Sequence, residues 1–360
     1  MIRLSSVIQQ FENDFLLHYG KHLLPSQRKS LGALKRCRNE YSPLMKVQCE
    51  HCHAGKFLPH SCGNRHCPHC QHHASQQWIE NQCRKQLPVN YFMLTFTVPA
   101  QLRSLFFNHQ RRCYRLIFDA AWSTLQSFSG HDKKLQGTPG ATAVLHTHSR
   151  ALAYHPHLHV VIPAAAIDKK QRLWREKQGK YLFSHKALAK VFRARLLSAL
   201  RNEKLMLPEQ LPERWVVDCR QVGSGETAII YLGRYLYRGV IQEKNILSCQ
   251  NGNVTFRYLD SRSNKYQLIT VPGAKFLWLV IQHTLPKGFR RARNFGFLHP
   301  NSKTLIRLIK LTLTFNPERL EKETKALPRL FCSGCGHPMQ IVQTLIERKV
   351  RKQGIERVPI

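Results

Sequence analysis

Acidic side chains are scarce in this sequence. Among its 360 residues, 21 are Asp or Glu and 56 are Lys or Arg, so the formal net charge is +35 and the isoelectric point is near 10.2. An imbalance of this size implies a polyanionic partner. Because the basic residues are spread along the chain and not confined to one amphipathic helix, they favour nucleic acid over a membrane surface as that partner.

Long hydrophobic runs are missing as well. The longest, residues 160–167 and 276–281, cannot span a bilayer, and residues 1–6 lead into a charged amphipathic segment without the apolar core of a signal peptide. We therefore expect a cytoplasmic protein with no membrane partner. The 42% hydrophobic content fits a folded chain of two or three domains and excludes a disordered basic tail.

Cysteine, by contrast, is plentiful. A cytoplasmic chain with 12 cysteines uses them for metal binding more readily than for disulfides. Cys49-x-x-Cys52 and Cys67-x-x-Cys70 are separated by fourteen residues. This is close to the spacing of a zinc ribbon or treble-clef knuckle pair, in which two turns place four thiolates around one ion. We predict a structural Zn²⁺ bound by these four cysteines.

Other candidate ligands leave the assignment open. The same block contains further cysteines and histidines, which make a second ion conceivable: Cys37, Cys62, His60, His66 and His69. A third knuckle, Cys332-x-x-Cys335 followed by His337, has no second cysteine pair after it. It is either half of a metal site, completed by His337 or by a remote residue, or a remnant.

The middle of the chain alternates strand and helix patterns. Runs of apolar, β-branched and aromatic residues predict strands, and apolar residues at helical intervals predict helices. Strands are predicted at residues 91–98, 141–147, 156–163 and 214–220, and helices at 101–128, 188–203 and 226–238. The 101–128 helix has a basic face, and the strands form an antiparallel sheet in an α+β fold.

The tripeptide His157-Leu158-His159 has metal-ligand spacing within one of these strands. Residues i and i+2 of a strand share a face, so both imidazoles project together while Leu158 anchors the opposite face. Two neutral imidazoles leave open positions on a divalent cation, as a catalytic metal site requires. A third protein ligand is expected, and the sequence does not choose among Glu226, Gln242, His146 and His155.

The 226–238 helix carries two tyrosines. At about 100° per residue, an outward stripe of Tyr231, Arg234, Tyr235 and Arg238 lies opposite an apolar stripe of Ile229, Leu232, Leu236 and Val240. A tyrosine phenolate that attacks a DNA phosphodiester conserves the bond as phosphotyrosine and releases a 3′-hydroxyl for later rejoining. The metal would polarise the scissile phosphate. Arg234 and Arg238 would bind flanking phosphates and favour the phenolate.

The order of these features resembles the HUH-type rolling-circle transposases of bacterial insertion sequences, in particular the two-tyrosine group named after insertion sequence ninety-one. The similarity spans most of the chain. Its motifs lie at residues 61–71, 94–99, 155–159, 231–235 and 285–289, the last followed by Arg290, Arg291 and Arg293.

The resemblance implies a ferredoxin-like (RRM-like) antiparallel palm with helices and a small N-terminal zinc-binding domain. His157 and His159 would hold Mg²⁺ or Mn²⁺, and Tyr231 and Tyr235 would be nucleophiles that cleave and rejoin single-stranded DNA at element ends and target DNA. The late basic residues that would contact DNA are Lys287, Arg290, Arg291 and Arg293. A bacterial protein of this kind is cytoplasmic and nucleoid-associated when bound to DNA.

No Gly-x-x-x-x-Gly-Lys-Ser/Thr segment for ATP binding is present, so replication, DNA hairpins or host replication factors must supply single strands. The predicted domains are residues 1–88 (helical and zinc-binding), 89–245 (HUH endonuclease), 246–330 (basic DNA-binding extension) and 331–360 (knuckle and basic tail). Two alternatives stay open: a relaxase-like plasmid or phage rolling-circle replication initiator, and a catalytically inactive, zinc-containing DNA-binding protein.

Overall fold

The computed structural model describes residues 2–39, 42–168, 173–237, 239–260, 263–313, 330–347 and 357–359. Within these residues α-helices alternate with antiparallel β-sheets, which confirms the α+β class predicted from the sequence. Among the helices of these segments, none combines the length and the apolar character that a membrane crossing needs.

One helix predicted from the sequence is divided in two in the structure. The helices of the described residues are α1 (Leu4–Tyr19), α2 (Pro25–Lys35), α3 (His72–Cys83), α4 (Arg103–Asn108), α5 (Gln110–His131), α6 (His185–Asn202), α7 (Glu226–Tyr237), α8 (Gly273–Ile281) and α9 (Lys303–Thr312). The single helix predicted for residues 101–128 is divided into α4 and α5. His109 causes the break because it adopts φ −120° and ψ 41°, outside the helical region.

The strands of the described residues form three sheets. They are β1 (Leu44–Cys49), β2 (Gly55–Pro59), β3 (Tyr91–Thr97), β4 (Thr138–His148), β5 (Tyr154–Pro163), β6 (Ala165–Asp168), β7 (Leu173–Glu176), β8 (Val217–Gln221), β9 (Ile246–Gln250), β10 (Asn253–Leu259), β11 (Tyr266–Pro272), β12 (Ala292–Gly296), β13 (Leu330–Phe331), β14 (Pro338–Glu347) and β15 (Arg357–Pro359). The central sheet has the order β7-β6-β4-β5-β3-β8, and β12 also pairs with β4.

The two faces of the central sheet bury different helices. On one face Leu158 and Val160 belong to a large core formed with α5 and α6. On the other face Val144 and Val161 pack against the apolar stripe of α7. Side chains alternate along β5, so the imidazoles of the His-x-His pair lie on the face that α7 covers.

A second core joins the N-terminal helices to residues 241–281. Phe11 and Phe15 of α1 pack with Phe276 of α8 and with Phe256 of the small sheet β11-β10-β9. Gly273, the first residue of α8, allows this close approach, because a Cβ there would lie 2.3 Å from the Phe11 ring.

The third sheet, with the order β13-β14-β1-β2 and β15 beside β14, also combines distant segments. Strand β1 pairs with β2 on one edge and with β14 on the other, with Cys49 opposite Met339. Residues 330–347 therefore lie against the N-terminal region.

Candidate active site and metal centres

Three imidazoles meet on the sheet face that α7 covers. His146 on β4 is the direct cross-strand partner of His157 on β5, and His159 follows two residues later. The ligand nitrogens of these three residues all lie within 4.8 Å of one another. We call this group the imidazole cluster. Strand pairing thus supplies the third imidazole that the two-histidine motif lacks.

Hydrogen bonds around the imidazole cluster leave a nitrogen of each ring for a cation. Nδ1 of His157 donates to the His155 carbonyl (2.7 Å), and Nδ1 of His159 lies 3.1 Å from Oγ1 of Thr95. Nε2 of His146 is buried without a hydrogen-bond partner. A buried polar atom left unpaired costs about 1–3 kcal/mol, and a bound cation would remove that cost. The donor set therefore fits a divalent cation.

Burial keeps the imidazole cluster neutral. Desolvation lowers the pKa of His157 to about 3 and the pKa of His159 to about 4. It also lowers the pKa of His146 well below the usual value, and the neighbouring His159 and His157 add to the effect. Neutral imidazole is the form that binds metal ions, so the cluster is in its ligand state at neutral pH.

The other proposed third ligands lie outside this cluster. His155 accepts a hydrogen bond at Nδ1 from the Arg103 guanidinium (2.8 Å). Gln242 lines the adjacent cleft, and Glu226 lies in the first turn of α7. Among the described residues, the cation-binding group around the predicted pair is completed by His146.

Helix α7 carries Tyr231 and Tyr235 to the imidazole cluster, and α3 supports it from behind. A Cβ at Gly233 would lie 2.2 Å from Cγ1 of Ile79 in α3. Oγ of Ser75, also in α3, donates to the Gly233 carbonyl (2.9 Å). The missing side chain at Gly233 therefore lets α3 hold α7 close to the sheet.

The two tyrosines occupy different environments. Tyr231 is 44% exposed, and its ring centroid lies 5.9 Å from that of His159. Tyr235 stacks on His146, with centroids 3.4 Å apart and an interplanar angle of 7°, and its hydroxyl donates to the His148 carbonyl (3.1 Å). The helical stripe predicted that both tyrosines face outward. Tyr235 is instead half-buried, because β4 provides imidazoles for its ring to pack against.

Burial raises the pKa of both phenols, and more strongly for Tyr235. The positive charges of Arg150 and Arg220 partly offset the rise at Tyr231. Arg291 does the same at Tyr235. Tyr231 is therefore the phenol that ionises more easily.

A cleft of about 630 Å³ opens beside the imidazole cluster and both tyrosines. Three arginines line it, Arg150, Arg234 and Arg257. Guanidinium groups bind phosphate oxygens in a bidentate manner, so this cleft suits a phosphate-bearing chain. We call it the reactive cleft. Arg238, the other phosphate contact predicted for the 226–238 helix, lies outside the described residues.

Arg291, predicted as a DNA contact, is engaged within the protein. Its Nε donates to the Leu145 carbonyl of β4 (2.9 Å), and its Nη1 donates to the Leu236 carbonyl of α7 (3.2 Å). The guanidinium also lies over the Tyr235 ring, 5.4 Å from its centroid. Arg291 thus ties the end of α7 to the strand that carries His146.

The other late basic residues face elsewhere. Arg290 and Arg293 line a second cleft of about 690 Å³ with three arginines of α5, Arg111, Arg112 and Arg115. Glu203 pairs with two of the α5 arginines, and Asp119 lies 3.8 Å from Arg293. Lys287 is exposed, and its carbonyl accepts a hydrogen bond from Arg111. Cations outnumber carboxylates in this arginine cleft.

Eight of the 12 cysteines form two groups of four. The N-terminal cluster contains Cys37, Cys62, Cys67 and Cys70, and the split cluster contains Cys49, Cys52, Cys332 and Cys335. The single site predicted from knuckle spacing is thereby corrected, since Cys49 and Cys52 lie in one group and Cys67 and Cys70 in the other. Spacing identifies knuckles but not their partners, and the pairing of β1 with β14 brings the third knuckle to the first.

Two residues of the site escaped sequence reasoning. Arg150 and Arg220 lie in no recognisable motif, and only the fold brings them to Tyr231. His146 was one of four candidates for the third ligand, and one sequence signal favours it: His146-Thr147-His148 is a second His-x-His, at the end of a predicted strand. Neighbouring strands with this pattern present imidazoles to a common face.

Comparisons with known proteins agree with this arrangement. A family model described as "Transposase zinc-binding domain" matches residues 7–98, and one described as "Putative transposase" matches residues 140–304. The first match contains the whole N-terminal cluster and half of the split cluster. The second contains the imidazole cluster and α7.

Two curated relatives are similar over most of this chain. "Putative transposase y4qJ" of Sinorhizobium fredii is 29% identical over 299 residues, covering 77% of this chain and 75% of the relative. "Transposase for insertion sequence element IS801" of Pseudomonas savastanoi pv. phaseolicola is 29% identical over 289 residues, covering 73% of this chain and 65% of the relative.

Proposed function

The chain belongs to the transposases that carry the zinc-binding domain of the insertion sequence ninety-one type, and we propose that it cleaves and rejoins single-stranded DNA at the ends of an insertion sequence. The reaction proceeds through a 5′-phosphotyrosine intermediate in rolling-circle transposition. The observation that carries this proposal is the meeting of three imidazoles and two tyrosines in one arginine-lined cleft.

The architecture of the central sheet supports an HUH-type palm. Four consecutive strands of the sheet have the order β4-β5-β3-β8, with α5 between β3 and β4 in the chain and α6 between β5 and β8. This β-α-β-β-α-β connectivity is that of ferredoxin-like folds. It places the His-x-His pair on an inner strand, where the register of both neighbours fixes the ring positions.

His146, His157 and His159 would hold the divalent cation, which supplies polarisation of the scissile phosphate when bound. Three neutral imidazoles would leave positions on the cation open for phosphate oxygens. Mn²⁺ matches this nitrogen set better than Mg²⁺, which prefers oxygen ligands.

Tyr231 is the first nucleophile. Its phenolate oxygen forms a bond to phosphorus, the bond from phosphorus to the 3′-oxygen breaks, and that oxygen takes up a proton to become a 3′-hydroxyl. The 5′-phosphate stays on the tyrosine, so the number of phosphoester bonds is conserved and rejoining needs no ATP. Exposure to the cleft and the charges of Arg150 and Arg220 favour Tyr231 for this step.

Tyr235 acts second. Its hydroxyl must first leave the His148 carbonyl, and its ring must move from the His146 imidazole. Holding one 5′ end on Tyr231 while Tyr235 attacks another strand gives the alternation that a two-tyrosine transposase requires. The preferred order follows from the difference between the two environments.

Arginines position the DNA in this scheme. Arg150, Arg234 and Arg257 bind the reacting strand in the reactive cleft, and the arginine cleft with Lys287 binds flanking DNA. Such phosphate contacts give affinity without sequence preference. Arg291 acts by positioning α7, because its Nε and Nη1 donate hydrogen bonds to the backbone carbonyls of Leu145 and Leu236.

A covalent assay tests the proposal. The full chain is incubated with Mn²⁺ and labelled single-stranded oligonucleotides that contain the element's own ends, and an SDS-stable protein–DNA adduct is expected. Tyr231→Phe should form none. Absence of any adduct with the wild type would refute the enzyme and leave a DNA-binding protein. Repeated nicking without transfer to a target strand would instead indicate a replication initiator.

A further inference from the structure

Two Cys-x-x-Cys knuckles from distant parts of the chain face each other in the split cluster. Sγ of Cys49 lies 3.4 Å from Sγ of Cys335, although 286 positions separate the residues. Sγ of Cys52 lies 3.6 Å from that of Cys332 and 3.5 Å from that of Cys335. Zn–S bonds of about 2.3 Å give a tetrahedron with edges of about 3.8 Å. The four thiols are thus close to the spacing that one zinc ion needs.

The backbone shapes each knuckle independently of the other. In the first, the Cys49 N–H donates to the Ala54 carbonyl (3.0 Å). In the second, the Cys332 N–H donates to the His337 carbonyl (2.8 Å), and the Gly336 N–H donates to the Cys332 carbonyl (2.9 Å). Each tight turn places its two sulfur atoms on the same side. The pairing of β1 with β14 sets the two turns opposite each other. The site is therefore assembled by regular structure.

The sheet around the split cluster has little apolar core of its own. Val47 is buried, but Phe57, Phe331 and Ile341 are each more than half exposed. A small unit with so little buried apolar surface needs an additional crosslink or metal for stability. Sulfur separations of at least 3.4 Å are far from the roughly 2.05 Å of a disulfide bond. Four converging thiols point to a metal.

We propose that the split cluster binds a second structural Zn²⁺, which joins the segment after residue 330 to the N-terminal zinc-binding region. Each zinc ion is held by four thiolates, and the protons of the bound cysteines are released to solvent. This site does not rest on the proposed transposase function. It also gives the third knuckle its partner, because Cys332 and Cys335 supply half of the ligands.

Metal counting in paired variants tests the site. Zinc per chain is measured on the purified full-length protein by native mass spectrometry and elemental analysis. Cys49→Ser/Cys52→Ser should lose one zinc, Cys332→Ser/Cys335→Ser should lose one, and the quadruple variant should also lose only one. Cys249→Ser, which changes a cysteine outside both clusters, should lose none.

Two outcomes would overturn the proposal. Loss of two zinc ions in the quadruple variant would mean that the knuckles serve separate ions. Full zinc retention in Cys332→Ser/Cys335→Ser would mean that the C-terminal knuckle binds no metal.

A ligand-preserving variant separates loss of metal from loss of folding. Cys335→His offers an imidazole in place of a thiolate, so it should keep two zinc ions, whereas Cys335→Ser should lower zinc affinity. Cobalt substitution provides a second readout, because sulfur-to-cobalt charge-transfer absorbance should fall by half in Cys332→Ser/Cys335→Ser and stay constant when His157 is replaced by Ala. Unchanged absorbance in the cysteine variant would contradict the site.

Discussion

A methyl group at Gly233 would test how α3 positions the tyrosines. A Cβ at this residue would lie 2.2 Å from Cγ1 and 2.8 Å from Cδ1 of Ile79, whereas carbon atoms in contact are about 3.5–4.0 Å apart. In Gly233→Ala, α7 and α3 must therefore separate by about 1 Å or more. Overpacking of this kind costs about 1–3 kcal/mol, and the better helix propensity of alanine offsets about 1 kcal/mol.

The larger effect should be on catalysis. A displacement of about 1 Å near reacting groups can lower a rate by about 100-fold, so we expect Gly233→Ala to form the covalent DNA adduct about 100-fold more slowly. Unfolding in urea should show a loss of at most about 2 kcal/mol, which leaves the protein folded.

Two matched variants make the result interpretable. Gly130→Ala, in α5, adds the same methyl group where nothing lies within 4 Å, so it should be neutral or slightly stabilising and fully active. Ile79→Ala removes the two nearest atoms and should restore activity to the Gly233→Ala protein. Wild-type adduct formation by Gly233→Ala alone, or failure of the second substitution to rescue it, would refute the reasoning.

Other predictions concern the tyrosines and the imidazole cluster. Tyr231→Phe should abolish the first cleavage, whereas Tyr235→Phe should leave it intact and block strand transfer; equal effects on single-turnover cleavage would contradict the assigned order. His146→Ala should weaken Mn²⁺ binding more than about 100-fold in calorimetry and preserve DNA affinity in fluorescence anisotropy, while His155→Ala keeps the metal; unchanged Mn²⁺ affinity in His146→Ala would exclude it as a ligand. Because folding lowers the pKa of His157 to about 3 and of His159 to about 4, below about 6.5 in the unfolded chain, the unfolded state binds more protons in acid. Protein without added Mg²⁺ or Mn²⁺ should therefore have its full stability above pH 6.5 and lose up to about 1.4 kcal/mol per pH unit and imidazole as the pH falls toward 4. Urea unfolding at pH 7 and pH 5 measures this, and an equally steep dependence in His159→Asn would contradict it.

Sequence periodicity correctly predicted which side chains share a face of a strand or a helix, because this depends only on residues close in sequence. Alternation in β5 placed His157 and His159 on one face and Leu158 on the other, and the helical repeat placed Ile229 and Leu232 of α7 against the sheet. Both follow from backbone geometry alone. The sequence therefore identified the elements that carry the reactive groups.

Contacts between distant segments could not be predicted in this way. His146 becomes a ligand because β4 pairs with β5 in a register that sets it opposite His157, and register depends on the whole sheet. The half-buried position of Tyr235 has the same cause, since the ring that it stacks on belongs to β4. The partners of Cys49 and Cys52 lie 280 to 286 positions further along the chain, where spacing rules do not apply.

The pairing of β1 with β14 has a consequence for synthesis on the ribosome. About 290 residues must be added after Cys49 before β14 begins at Pro338. At about 5–20 residues per second, this takes on the order of 15–60 s. During that interval one edge of β1 is covered by β2 while the other stays open, and open strand edges pair readily with other chains. Chains that terminate early keep this edge open permanently, so truncated products should aggregate more than the finished protein.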